Sequence, residues 1–169
     1  IKIMLKKLAT LILRHVPHLK LSMVEIGARF VSQQPEPFYE LVSLFPGSQI
    51  IGFEVDEKLC EKMNAQAPKG IEYYPVALGE RNERRAFYVT QHPMCSSLYK
   101  PNEDLIELYH HFDVARLDKK TEIDTVSLDH FVKEYAIASV DFIKIDVQGA
   151  ELDIFKGSHK VLQETLLIV

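Results

Sequence analysis

The sequence predicts an α/β protein with a doubly wound, mostly parallel sheet, and two patterns carry that prediction. Short apolar, β-branched runs (Leu21 to Ile26, Gln49 to Glu54, Ile71 to Leu78, Val140 to Val147 and Leu166 to Val169) alternate with segments of helical period. Parallel strands joined by crossover helices read in this way. The residues that follow those runs are enriched in glycine and carboxylates, as expected where an open α/β sheet holds a ligand at the carboxyl ends of its strands.

Taken in order, residues 1–20 are expected to form an N-terminal amphipathic helix with Leu5, Leu8, Ile12 and Val16 on one side, and residues 21–169 the core. The apolar stretch Leu8 to Leu13 is too short to cross a bilayer, so no membrane span is expected. Between the first two strand runs, Phe38, Leu41, Val42 and Phe45 recur at helical spacing, with Pro37 suited to a first turn and Pro46-Gly47 to a stop. Glu57 to Ala67 reads as the next helix, ended by Pro68 and Gly70. From Arg85 to Ser127 the rhythm breaks. Ala86 to Thr90 alternates like a strand, Gln91 to Asn102 is a loop, Glu103 to Phe112 is helical and Thr121 to Val126 is again a strand. This excursion is expected to lie over the sheet, and its loop is long enough to serve function. The charge runs Glu80 to Arg85 and Asp118 to Lys120 read as exposed turns. Asp129 to Tyr135 resumes the helical period, and a last helix begins near Ala150. The chain starts at Ile1 and stops in the apolar run Leu166 to Val169, so a fold truncated at its C-terminus is expected. The open edge of such a run makes an oligomer possible.

Composition narrows the function classes. A chain of 169 residues, 47% hydrophobic and 26% charged, suits one globular domain. A net charge of -4 gives no basic footprint, which argues against nucleic acid as a partner. Cys60 and Cys95 lie far apart without a CxxC pair, so neither a disulfide framework nor a zinc site is expected, and a reducing cytoplasm fits. His92, His110, His111, His130 and His159 have no paired spacing with carboxylates, so no metal is expected. Ser96 and Ser97 lack a GxSxG context and are better read as lining a pocket for an acceptor.

The strand ends carry the chemistry. Glu25, Gly27 and Ala28 close the first run, and the glycine lets the backbone approach a ligand. Glu54, followed by Val55, closes the second, where a carboxylate can accept both hydroxyls of an adenosine ribose. Ala77 and Leu78 close the third and are small and apolar enough to flank an adenine ring. A nicotinamide dinucleotide needs GxGxxG for its pyrophosphate, and the equivalent positions here are Gly27, Arg29 and Ser32, so a nicotinamide-dependent oxidoreductase is disfavoured. S-adenosylmethionine has no phosphate, bears a sulfonium and ends in an amino acid, and one glycine with several acids suits it. The fourth run, with Lys144 and Asp146 alternating with Ile143, Ile145 and Val147, places Asp146 at a strand tip beside the methyl-transfer site, as a candidate base or aligning contact. A non-catalytic domain that keeps the fold without the cofactor is the other alternative.

The run from Thr125 to Gly157, TVSLDHFVKEYAIASVDFIKIDVQGAELDIFKG, together with GFEVD at Gly52 to Asp56 and ALGE at Ala77 to Glu80, resembles the FkbM-type methyltransferase family over residues 22–169. The resemblance implies a Rossmann-like methyltransferase fold and S-adenosylmethionine-dependent methylation of a hydroxyl oxygen on a sugar or other secondary metabolite. By matching position it implies that Glu25, Gly27 and Ala28 belong to the first cofactor motif, Glu54 to the ribose motif, and Asp146 with Glu151 to the fourth-strand motif. Ser96, Ser97, Gln148 and Glu151 are the candidate contacts for a small-molecule hydroxyl acceptor. The chain departs from the family pattern after Ala28, where a second glycine is absent, and at Gln148, which stands in place of an acid.

Overall fold

The computed structural model describes residues 2–29 and 36–169. Ser32 and most of the segment between Arg29 and Pro37 therefore lie outside the described residues. In chain order the elements are α1 (Lys2–His15), β1 (Ser22–Ile26), α2 (Glu40–Leu44), β2 (Gln49–Phe53), α3 (Glu57–Gln66), β3 (Ile71–Tyr74), β4 (Ala77–Leu78) and β5 (Glu83–Thr90). They continue with α4 (Glu103–Leu108), β6 (Leu117–Val126), α5 (Leu128–Glu134), β7 (Phe142–Ile145), α6 (Glu151–Lys156), α7 (His159–Leu162) and β8 (Leu167–Ile168).

Five strands form one parallel sheet in the order β3-β2-β1-β7-β8. Order reverses beside β1, because the chain builds outward to β3 and then returns to the other side with β7; a doubly wound sheet opens its ligand crevice at such a point. The central strands are buried on both faces, as their unbroken apolar runs require. Val24, Ile26, Ile51, Phe53 and Ile143 pack on one side against Leu128, Phe131, Ile154 and Val161 of α5, α6 and α7. On the other side Met23, Ile50, Ile71 and Tyr73 meet Tyr39, Cys60 and Met63. The two-residue period of each strand thus divides its side chains between two helix layers. Phe131 anchors the first layer, edge-on to Phe53 and Tyr74 at centroid distances of 4.7 and 5.0 Å and stacked on Tyr135 at 4.2 Å.

The third apolar run, Ile71 to Leu78, is not one strand. It divides at Pro75, which has no N–H to give a ladder, and the chain passes from β3 to β4 in a second sheet of order β4-β6-β5. The charge runs prove to be largely strand, although residues 80–82 keep the expected bend. Glu83 to Arg85 open β5 and Asp118 to Lys120 lie in β6, the two pairing antiparallel from Glu83↔Thr125 to Thr90↔Leu117. Their charges suit an exposed outer face, where Arg84 meets Glu122 at 3.0 Å and Asp124 at 3.8 Å across the strands.

The helix expected at Glu103 to Phe112 ends at Leu108; a separate 3-10 turn spans Phe112–Ala115, entered through His111 at φ 72. In α1 the side turned inward is Leu5, Ala9 and Ile12, with Ala9 fully buried, whereas Leu8 and Val16 are about half exposed. β8 lies at the edge of its sheet, with Leu166 and Val169 exposed. Among the described residues no helix is long and apolar enough to cross a membrane.

Candidate functional site

A cavity of about 470 Å³ opens at the carboxyl ends of β1, β2 and β7, with the second sheet as its far wall. Gly27, Glu54 and Asp146 lie on the near side, Ala77 and Leu78 beneath, and Phe87, Val89 and Ile123 on the wall formed by β5 and β6. That wall is tied to the core by Arg85 on β5, whose guanidinium pairs with the buried Asp153 of α6 while Tyr99 Oη donates to the same carboxylate at 2.9 Å. The Arg85 hydrogen bond holds the Asp153 carboxyl below its usual range in spite of burial.

Gly27 has φ +78, and a Cβ built on it would stand 2.2 Å from the Asp146 carbonyl oxygen. Its missing side chain therefore lets the end of β7 close against β1, where the Asp146 N–H donates to the Ile26 carbonyl at 3.0 Å. The sequence suggests close approach to a ligand; the structure shows close approach to the neighbouring strand. Asp146 follows from this contact onto the cavity wall, 57% exposed, with Oδ2 3.6 Å from Lys144 Nζ.

Glu54 also lines the cavity, at 4% exposure. Its Oε1 accepts from the Asp56 N–H at 2.8 Å and from Arg29 Nη2 at 3.3 Å, and its Oε2 accepts from Arg29 Nε at 3.3 Å. Arg29 reaches on to Asp56 Oδ2 at 3.2 Å. Burial works against the Arg29 charge, but the two carboxylates more than offset it and hold the guanidinium above its ordinary value. Sequence reading treats Arg29 only as a missing glycine. Its bond to Glu54 joins the ends of two different strands, so local spacing carries no signal of it.

Three expected site residues are not on the cavity wall. Glu25 alternates to the opposite face of β1 from Ile26, where it is 2% exposed and accepts hydrogen bonds from Tyr39 Oη and from Lys144 Nζ, the latter at 3.3 Å. Burial raises its pKa, opposed by Tyr39 and Lys144. Tyr39 Oη also lies 2.9 Å from Tyr73 Oη, and burial pushes the Tyr73 hydroxyl up to about 12. Ala28 is buried in the layer formed by Met23, Ile50 and Tyr73. Glu151 sits beyond the turn, its Oε1 accepting from the Gly149 N–H at 3.3 Å.

The remaining candidates do meet there. Val55, Ala77, Leu78, Ser96, Ser97 and Gln148 all line the cavity. Ser97 pairs with Tyr88 through both backbone groups and donates its hydroxyl to the Gln148 carbonyl, so the loop is fastened to the turn after β7. Ser96 Oγ accepts from the Thr90 N–H at 3.2 Å. Among the described residues no group of His, Cys, Asp and Glu is placed to hold a metal ion.

Residues 25–169 match the family model described as the methyltransferase FkbM domain. The chain belongs to the FkbM methyltransferase family. It is also similar to the 2-O-methyltransferase NoeI of Sinorhizobium fredii, 27% identical over an alignment of 136 residues. That alignment covers 75% of this chain and 54% of the relative, so the chain spans about half the length of the curated relative it matches. No solved structure matches it significantly.

Two residues within the matched span join segments that are far apart in sequence. Asp129 caps α7 by accepting from the Lys160 and Val161 N–H groups at 3.0 and 2.9 Å. Gly157 lies where a Cβ would meet the Gly79 carbonyl oxygen at 2.1 Å. Two motifs distant in sequence therefore touch, and their contact sets β4 under the cavity.

Proposed function

We propose that residues 21–169 are the cofactor-binding core of an S-adenosylmethionine-dependent O-methyltransferase acting on a hydroxyl of a small molecule, a sugar or other secondary metabolite. The observation that carries this reading is that two strand-end acids, Glu54 and Asp146, line one cavity at the point where strand order reverses. The relative named as a 2-O-methyltransferase supports oxygen as the methylated atom.

The residues present suit a nucleoside that carries no phosphate. The turn after β1 offers Gly27 but not the glycine-rich series that wraps a pyrophosphate. Glu54 is a buried carboxylate on the wall, and a carboxylate has acceptor sites enough for two adjacent ribose hydroxyls. Val55, Ala77 and Leu78 supply an apolar seat for the adenine, while Glu25 and Ala28 shape the end of β1 without touching the ligand. When bound, S-adenosylmethionine supplies an electrophilic methyl group whose leaving group is a neutral thioether.

The protein's part is then to align the acceptor oxygen and remove its proton. Asp146 is the acid exposed to the cavity at the end of β7, and its carboxylate accepts that proton. Lys144, 3.6 Å away, and the main-chain bond to Ile26 hold it in place. Phe87, Val89 and Ile123 exclude water from above. Ser96, Ser97 and Gln148 face the acceptor side, and Glu151 braces the turn that carries Gln148. The compartment proposed is the cytoplasm, where the free thiols Cys60 and Cys95 stay reduced.

Titration with S-adenosylhomocysteine by calorimetry tests the cofactor. Saturable binding supports it, whereas silence together with thermal stabilisation by NADH would favour an oxidoreductase. With an acceptor in hand, Asp146→Asn should lower the single-turnover rate by roughly 10²–10⁴-fold with little change in cofactor affinity. An unchanged rate removes Asp146 as the base.

A further inference from the structure

We propose that Arg29 is the residue that recognises the carboxylate of the cofactor's amino-acid end, and that it is released for this task when a ribose occupies Glu54. The inference rests on the nucleoside reading of the cavity given above.

Two demands on Glu54 conflict. Glu54 is placed to accept ribose hydroxyls, yet both of its oxygens already accept from Arg29, at 3.3 Å each. A ribose cannot take those acceptor directions without loosening the guanidinium. Arg29 is only 23% exposed, and a partly buried cation is costly to leave without an anionic partner. Among the described residues the one other anionic partner left to it is Asp56 at 3.2 Å, and Asp56 is half exposed. Arg29 itself lies on the cavity wall, two residues past the Gly27 turn at the tip of β1.

An S-adenosyl amino acid brings its own answer to the conflict. Its ribose replaces Arg29 at Glu54, and its carboxylate supplies the anion that the displaced guanidinium needs. The planar fork of arginine suits a carboxylate in two parallel hydrogen bonds, which a lysine cannot match. This also gives a reason for the departure at the position where a glycine-rich turn would carry its second glycine. A glycine there serves a pyrophosphate by close backbone approach; an arginine serves a carboxylate by charge. The exchange is balanced in charge, since one carboxylate leaves the guanidinium as another arrives, and no proton need move.

Two ligands separate this role from others: S-adenosylhomocysteine, which has the amino-acid end, and 5′-methylthioadenosine, which is the same nucleoside without it. Calorimetry with the full chain should show that Arg29→Met weakens S-adenosylhomocysteine by about tenfold or more, the loss of one charge-assisted pair. The same variant should leave 5′-methylthioadenosine unchanged or bound more tightly, because Glu54 is uncovered. Arg29→Lys, which keeps the charge near Glu54, should fall between wild type and Arg29→Met for S-adenosylhomocysteine, and it provides the comparison if Arg29→Met does not fold. If Arg29→Met tightens both ligands by the same factor, Arg29 only covers Glu54 and the proposal is overturned. Wild-type affinity for S-adenosylhomocysteine in both variants overturns it as well. If the wild-type protein binds neither ligand, the nucleoside reading fails and this inference falls with it, an outcome distinct from the other two.

Discussion

Replacing Gly27 by alanine should damage the fold more than replacing Gly149, although both glycines have left-handed backbones, with φ +78 and +88. The conformational penalty for a non-glycine residue there is about 1–2 kcal/mol in each case. Alanine also restricts the unfolded chain by the same amount at both sites, so that effect cancels in the comparison. What differs is space. A Cβ on Gly149 meets nothing within 4 Å, whereas one on Gly27 stands 2.2 Å from the Asp146 carbonyl oxygen and 3.1 Å from its carbon. Relief requires the end of β7 to move by about 1 Å, at the cost of overpacking a well-filled site, about 1–3 kcal/mol. Gly27→Ala should therefore lose about 2–5 kcal/mol and Gly149→Ala about 1–2 kcal/mol. Urea unfolding of the two variants, with equal slopes checked, measures the difference. Equal losses in both would refute the claim that Gly27 exists for the closure of β1 on β7.

Other expectations follow from the same contacts. Asp153→Asn removes the charge that Arg85 needs in a mostly buried pair and should destabilise by about 3 kcal/mol, lowering Tm by several degrees. Because the folded-state pKa of Asp153 is depressed, the wild-type advantage is full above its ordinary value of 3.8 and is lost as pH falls through the lower folded value; an advantage that grows on acidification would contradict the assignment. Glu54→Ala should weaken S-adenosylhomocysteine by at least about tenfold without unfolding the domain, and an unchanged dissociation constant would remove Glu54 from the ribose site.

The sheet was legible because its strands are buried on both faces and so read as continuous apolar runs. The same signal misled at Ile71 to Leu78, where hydrophobicity continues through Pro75 while the hydrogen-bond ladder cannot. The hairpin of β5 and β6 was partly hidden for the opposite reason. Its outer face is solvated, so Glu83 to Arg85 and Asp118 to Lys120 gave its outer ends the charge density of a turn, and only pairing across the strands, which no local window contains, distinguishes the two. Within the site, order along the chain located Glu54 and Asp146 on one cavity, since both sit at strand ends. It misjudged Glu25 because strand alternation sends that side chain to Tyr39 and Lys144 on the other face. Arg29 was missed as a functional group because its importance lies in a bond to an acid on a different strand. The Asp129 cap and the Gly157 contact with Gly79 likewise join segments far apart in sequence. Their presence in the family signature was visible, but their physical purpose was not.

In the proposed function one cavity holds the nucleoside between Glu54 and Asp146. A crystal structure of the chain with S-adenosylhomocysteine tests it most directly. The ribose hydroxyls should lie within hydrogen-bond distance of the Glu54 carboxylate, with the sulfur turned towards Asp146 and the Arg29 guanidinium moved from Glu54 to the ligand's carboxylate. A ligand seated away from Glu54, or a sulfur pointing away from Asp146, would contradict it.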